Sequence, residues 1–210
     1  MVKQRSWHSR RRAGRKHRLS AKTEIALNLS LLIEMKLCRR IHQFYKAVRA
    51  AVHTEDQAFL RKYLSAEEQV LFKQMGLPEQ RHCLDVAYTA IRLAAEKNGV
   101  DKGLLLRCAL LHDIGKVEGD LPVPYKVLTV LADHFFSRQA RCWARQSAAG
   151  DRRDFRHALY IYYYHGELGR EKLLAMHLSE LAEIVGKHHK APTEKDPLEL
   201  LLLRRADAQN

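Results

Sequence analysis

Residues 109–116 read Ala-Leu-Leu-His-Asp-Ile-Gly-Lys, an apolar helical run that ends in an imidazole and a carboxylate side by side. Two such groups on one rigid element can face a single cation. Gly115 lets the backbone turn away at once, and Lys116 keeps an ammonium nearby for an anion. A His-Asp dipeptide by itself carries no meaning. Its weight comes from His82, one helix earlier, and from Arg205-Ala206-Asp207 at the end of a helix near the C-terminus.

Outward from that stretch the chain reads as helix after helix. Lys36–Val52 places Leu37, Ile41, Phe44, Tyr45 and Val48 at helical spacing. Thr54 with Gln57, and Ser65 with Glu68, have the spacing of capping boxes. Gly76 and Pro78 open a helix expected to run to Asn98-Gly99, and Asp101 caps the helix that ends in the His-Asp pair. Leu121-Pro-Val-Pro124 reads as a break and Tyr125–Phe136 as helix. Residues 137–154 read as irregular, and Phe155–Met176 as helix broken near Gly166 and Gly169. Ser179 is expected to open Glu180–His189, and Asp196-Pro197 with Glu199 the last helix. No stretch alternates with the period of a strand, so the expected fold is all-α. The expected organisation is a basic extension over 1–34, N-terminal helices over 35–75 packing on the core, and a helical bundle over 76–210.

Composition sets the outer bounds. The chain has 210 residues and a net charge of +13, of which residues 1–34 supply +7 from nine Lys/Arg against Glu24 and Glu34. That arm reads as a disordered tail or an upstream extension; contact with RNA, DNA or anionic lipid is its functional alternative. Deleting it would then abolish binding. No apolar stretch reaches the ~20 residues of a membrane span. Ile25–Ile33 is followed by Glu34 and Lys36 rather than a cleavage site, so a cytoplasmic protein is expected. Cys38, Cys83, Cys108 and Cys142 form no Cys-x-x-Cys pair, which argues against a zinc ribbon or a disulfide framework. The twelve histidines point instead to metal chemistry.

His82, His112, Asp113 and Asp207 make a mixed nitrogen and oxygen shell that suits Mn, Fe, Co or Zn better than Ca. Gln80-Arg-His82, Leu-Leu-His112-Asp113-Ile-Gly-Lys116 and Arg-Ala-Asp207 resemble the signature of the HD superfamily of metal-dependent phosphohydrolases. The resemblance covers roughly Gly76 to Asn210. It implies an all-α fold, a divalent metal site, and hydrolysis of phosphoester or phosphoanhydride bonds, often in nucleotides, by metal-activated water.

His165-Gly-Glu-Leu-Gly169 and Lys187-His188-His189 resemble further elements of superfamily members that hold two or more metals. In those relatives His165 and His188 would hold a second ion with Asp113 bridging, and His189 would be a ligand or a substrate contact. The pattern is similar to that of the HD-GYP and dinucleoside tetraphosphate hydrolase branches. The Gly-Tyr-Pro loop of the first is replaced here by Lys190-Ala-Pro-Thr-Glu-Lys-Asp-Pro197. Asp113 and Lys116 are the expected catalytic residues, Asp113 to orient or deprotonate water and Lys116 to stabilise phosphoryl charge.

His134 and His157 are rival ligands, and Cys108 shares a helix face with His112. Arg138, Arg141 and Arg145 would form a basic rim, and Tyr160, Tyr162, Tyr163 and Tyr164 could stack a base or pack helices. The expected partner is a small anionic phosphorylated substrate, nucleotide in type. A non-catalytic metal- or nucleotide-binding module and a nucleic-acid-binding protein are the competing classes.

Overall fold

The computed structural model describes residues 50–120, 123–147 and 154–210, and every regular element among them is helical. The elements are α1 (Thr54–Tyr63), α2 (Ala66–Lys73), α3 (Leu77–Ala94), α4 (Lys102–Leu111), α5 (Val123–Gln146), α6 (Phe155–Ala175), α7 (Ser179–Lys187) and α8 (Leu198–Asp207). The basic arm and most of the expected helix over Lys36–Val52 lie outside the described residues.

Helix α4 is the axis of the bundle and touches α1, α2, α3, α7 and α8. Asp101 caps it by accepting from the Leu104 N–H at 2.9 Å, as its position predicts. Seven of its ten residues are buried. A ten-residue helix is marginal alone, so α4 exists because each buried leucine contributes ~1.5–3 kcal/mol. Around it pack Leu84, Phe72, Met75, Leu200 and Leu203, all fully buried.

Ion pairs fasten the outer helices to this axis. Arg107 on α4 donates to Glu68 on α2 at 2.6 Å, and Arg81 on α3 donates to the buried Asp56 on α1 at 2.8 Å. The Asp101 N–H donates to Glu199 at 2.8 Å, so the start of α8 is tied to the start of α4. Residues of α1 and α2 thus share one hydrophobic core with α3, α4, α7 and α8. Helix α5 packs chiefly on α6, where Ala140 and Ala144 meet Leu159 and tyrosines of α6.

Several local expectations are corrected. The cap of α1 is His53, not Thr54, because Asp56 reaches back to the His53 N–H at 2.8 Å. The Ser65–Glu68 box forms as expected. Helix α3 ends at Ala94 rather than Asn98. Ser179 is the first helical residue of α7, with Leu178 as its cap. Asp196 does not cap α8; its carboxylate accepts from Thr193 N and from Arg204, while Pro197 occupies the cap.

Two larger corrections concern α5 and α6. Residues 137–146, expected to be irregular, continue α5 as helix after a kink at Phe136, whose φ of −138° and ψ of 38° leave helical values. Their small alanines at i and i+4 give them a face to pack. Helix α6 runs unbroken through Gly166 and Gly169. These glycines are contact points, since a Cβ at Gly169 would stand 3.2 Å from Val185 and 3.3 Å from Ile114.

Candidate metal centre

Five helices deliver side chains to one place: α3 brings His82, the end of α4 His112 and Asp113, α6 His165, the end of α7 His188 and His189, and α8 Asp207. The α4 run stops at Leu111, His112 is its C-cap, and a tight turn follows with Lys116 N donating to Asp113 O at 2.8 Å. Gly115 permits this turn to abut α6. A Cβ there would lie 2.0 Å from the His165 carbonyl oxygen.

Asp113 stands between two groups of ligating atoms. Its Oδ1 is 3.4 Å from His165 Nε2, and its Oδ2 is 3.7 Å from His112 Nε2. Asp113, His165, His188 and His189 form one set whose ligand atoms lie within 4.8 Å of one another, and His82, His112 and Asp113 form another. His82 Nε2 is 3.0 Å from Asp207 Oδ1, which also lies 3.9 Å from His112 Nε2.

The inner imidazoles are fixed from behind by main-chain carbonyls. His112 Nδ1 lies 2.9 Å from Ala109 O, His165 Nδ1 3.0 Å from Tyr162 O, and His188 Nδ1 2.5 Å from Val185 O. A carbonyl only accepts, so each Nδ1 carries the proton and each Nε2 presents a lone pair inward. Those inward atoms have no partner. His112 Nε2, Asp113 Oδ1, His165 Nε2 and His188 Nε2 are all buried without a hydrogen bond. Leaving such atoms unpaired costs about 1–3 kcal/mol each. Four in one cluster is what a cation site requires, and the donor set fits a transition metal.

The electrostatics match. Burial, reinforced by the Lys116 charge, pushes His165 down to about 3, and burial with His189 beside it holds His188 well below the histidine range. Both rings are neutral near pH 7, the form that ligates. Burial alone would raise Asp113, but Lys116 and then His112 outweigh it and hold the carboxylate well below its usual range. Burial likewise works against Asp207, and the hydrogen bond from His82, followed by the nearby His112 ring, reverses it, so it too is lowered. Lys116 Nζ donates to Asp113 Oδ2 at 2.8 Å; that partner overcomes burial and raises the ammonium.

All seven residues expected to ligate, and Lys116, are therefore within one cluster. The rivals are not. His157 faces Asp120 at 3.4 Å, and the His134 ring meets Phe135 edge-on with centroids 4.7 Å apart. Arg141 lies over the Tyr163 ring, whereas Tyr162 and Tyr163 donate to Asp133. Behind His112 the Cys83 sulfur lies 3.7 Å from Nδ1, and Cys108 is fully buried one turn earlier on α4. Sequence spacing holds no signal for that contact between different helices. The ion pair of Glu79 with Lys126 was also missed; Glu79 lies one turn before His82, which was the available signal.

Comparison with known proteins adds a family. The model of the HD domain matches residues 80–209, and the matched stretch holds every residue of the cluster. No curated protein and no solved structure matches the chain.

Proposed function

The chain belongs to the HD domain family, and from that premise we propose that it is a metal-dependent hydrolase of a small phosphorylated, nucleotide-type substrate. The reading rests on the four buried, partnerless ligand atoms that converge around Asp113. In this reading His82, His112, Asp113 and Asp207 would hold one divalent ion. Asp113, His165, His188 and His189 would hold a second, and residues 76–210 form the catalytic domain. Divalent ions there supply Lewis-acid charge, which acidifies water and neutralises phosphoryl oxygens.

The protein's own groups do the rest. The carbonyl-anchored histidines keep their lone pairs aimed inward, so little reorganisation precedes binding. Asp113, charged at neutral pH, accepts a hydrogen bond from the attacking water and orients it. Lys116 is a permanent cation at the same carboxylate and stabilises negative charge building on the phosphoryl group. Its proximity favours an anionic substrate over a neutral one.

The test is metal content by mass spectrometry, after purification without chelator or oxygen, beside phosphate release from a panel of nucleotides and other phosphoesters. About two ions per chain are expected, the count that suits an in-line displacement. Asp113→Ala should lose both metal and phosphate release. Metal without hydrolysis of any panel member would leave a binding module, and no metal after adding Mn or Fe would end the proposal.

A further inference from the structure

Helix α5 carries a surface that the metal cluster does not use. Ten large apolar side chains are exposed among the described residues, and six of them sit on this one helix. They are Val127, Leu128, Leu131, Phe135, Phe136 and Trp143, with Phe135 66% and Phe136 60% exposed. Val127, Leu131 and Phe135 recur at i, i+4 and i+8, so they form one stripe. The kink at Phe136 falls within the pair of exposed rings. The opposite face is already occupied, since Ala140 and Ala144 are fully buried in the small core shared with α6.

The charges on α5 divide the same way. Asp133 is turned toward the hydroxyls of Tyr162 and Tyr163, and Lys126 is paired with Glu79. Arg138 and Arg145 are exposed and have no carboxylate partner among the described residues. What the helix shows to solvent is therefore these apolar side chains beside guanidinium groups and neutral polar residues such as Ser137 and Gln139, with no outward acid to balance the arginines.

We propose that α5 docks the protein on the surface of an anionic lipid bilayer, with its apolar stripe in the interface and its arginines among the headgroups. Charge selects this occupant. A helix with Phe, Trp and Leu on one side and uncompensated arginines is the composition that lies in a membrane interface. Trp143 has the ring type favoured at headgroup depth, and arginine stems can lie along the apolar zone while their heads reach phosphate. Among the described residues no helix is long and apolar enough to cross a membrane, so the contact is peripheral. It would place the metal cluster beside a membrane whatever the substrate proves to be.

The experiment is flotation of the full chain with vesicles of phosphatidylcholine, with and without about one-third phosphatidylglycerol. Partition is expected to be at least roughly tenfold stronger on the anionic vesicles and to weaken at high salt. The double change Phe135→Ser with Phe136→Ser should remove most of it, and Arg138→Gln with Arg145→Gln should remove the anionic preference. These side chains are largely exposed, so melting should stay within about 2 °C of the parent chain. A second readout uses Trp7→Phe, which leaves Trp143 as the sole tryptophan; its emission should shift to the blue on anionic vesicles. Unshifted emission, or full binding by the Phe135→Ser, Phe136→Ser variant, would assign lipid binding to the basic arm and overturn the proposal. Absence of binding would overturn it too, as would dimerisation on α5 that these substitutions abolish.

Discussion

His165 shows what the site asks of a single side chain. In water an imidazole is half protonated near pH 6.5; here burial and Lys116 hold it neutral down to about 3. The folded protein therefore refuses a proton that the unfolded chain accepts. Stability contributed by this ring is present above about pH 6.5 and is lost as pH falls toward 3. From pH 7 to pH 5 one such histidine removes about 2 kcal/mol. His188, displaced in the same direction, adds to the loss. Asp113 and Asp207, both lowered, remove more only once pH drops below the ordinary carboxylate range. Urea midpoints of the metal-free protein should fall steeply between pH 7 and pH 5, and His165→Gln should flatten the curve. An unchanged midpoint over that interval would show that these rings are not buried neutral.

At the scale of elements, the turn after α4 and helix α6 are set against each other at Gly115. With a Cβ 2.0 Å from the His165 carbonyl oxygen, backbone rather than a flexible side chain must move. Gly115→Ala should destabilise the protein by about 3–5 kcal/mol. It should also pull Asp113 away from His165 and lower metal occupancy. Gly166→Ala is the milder comparison, because its Cβ would meet the His188 ring at 3.3 Å, a contact relieved by a few tenths of an ångström. Equal melting temperatures and metal content for the two variants would refute this ranking.

The same contrast separates what the sequence discloses about elements from what it conceals. Asp101 and Ser65 are legible because a cap is a local bargain between a side chain and an N–H three residues on. Gly166 and Gly169 mislead because their reason is another helix, which no local rule contains. Residues 137–146 read as irregular for a like reason, since two alanines give a face only when Leu159 is opposite.

For the whole molecule, the ligand list is legible and its closure is not. Paired and flanked histidines name His82, His112, His165 and His188 in one dimension. That they gather in two sets around Asp113, with Nδ1 held by carbonyls at 2.5–3.0 Å for the inner three, depends on four helices packing at once. An ion held there would on that account be part of the fold. An ion bound only by the folded form stabilises it by about 2.7 kcal/mol when free metal is a hundred times its dissociation constant. At about 2–4 °C per kcal/mol for a domain of this size, melting should rise by roughly 5–10 °C. Mn, Fe, Co or Zn should produce the shift, and Ca should not, because its preferred shell is oxygen alone. Asp113→Ala should lose the response to all of them, because that carboxylate belongs to both sets of ligand atoms. His134→Ala should keep it, because that ring lies against Phe135 and outside both sets. If the transition metals leave melting where a chelator leaves it, the helices close without an ion and the inward lone pairs serve another purpose.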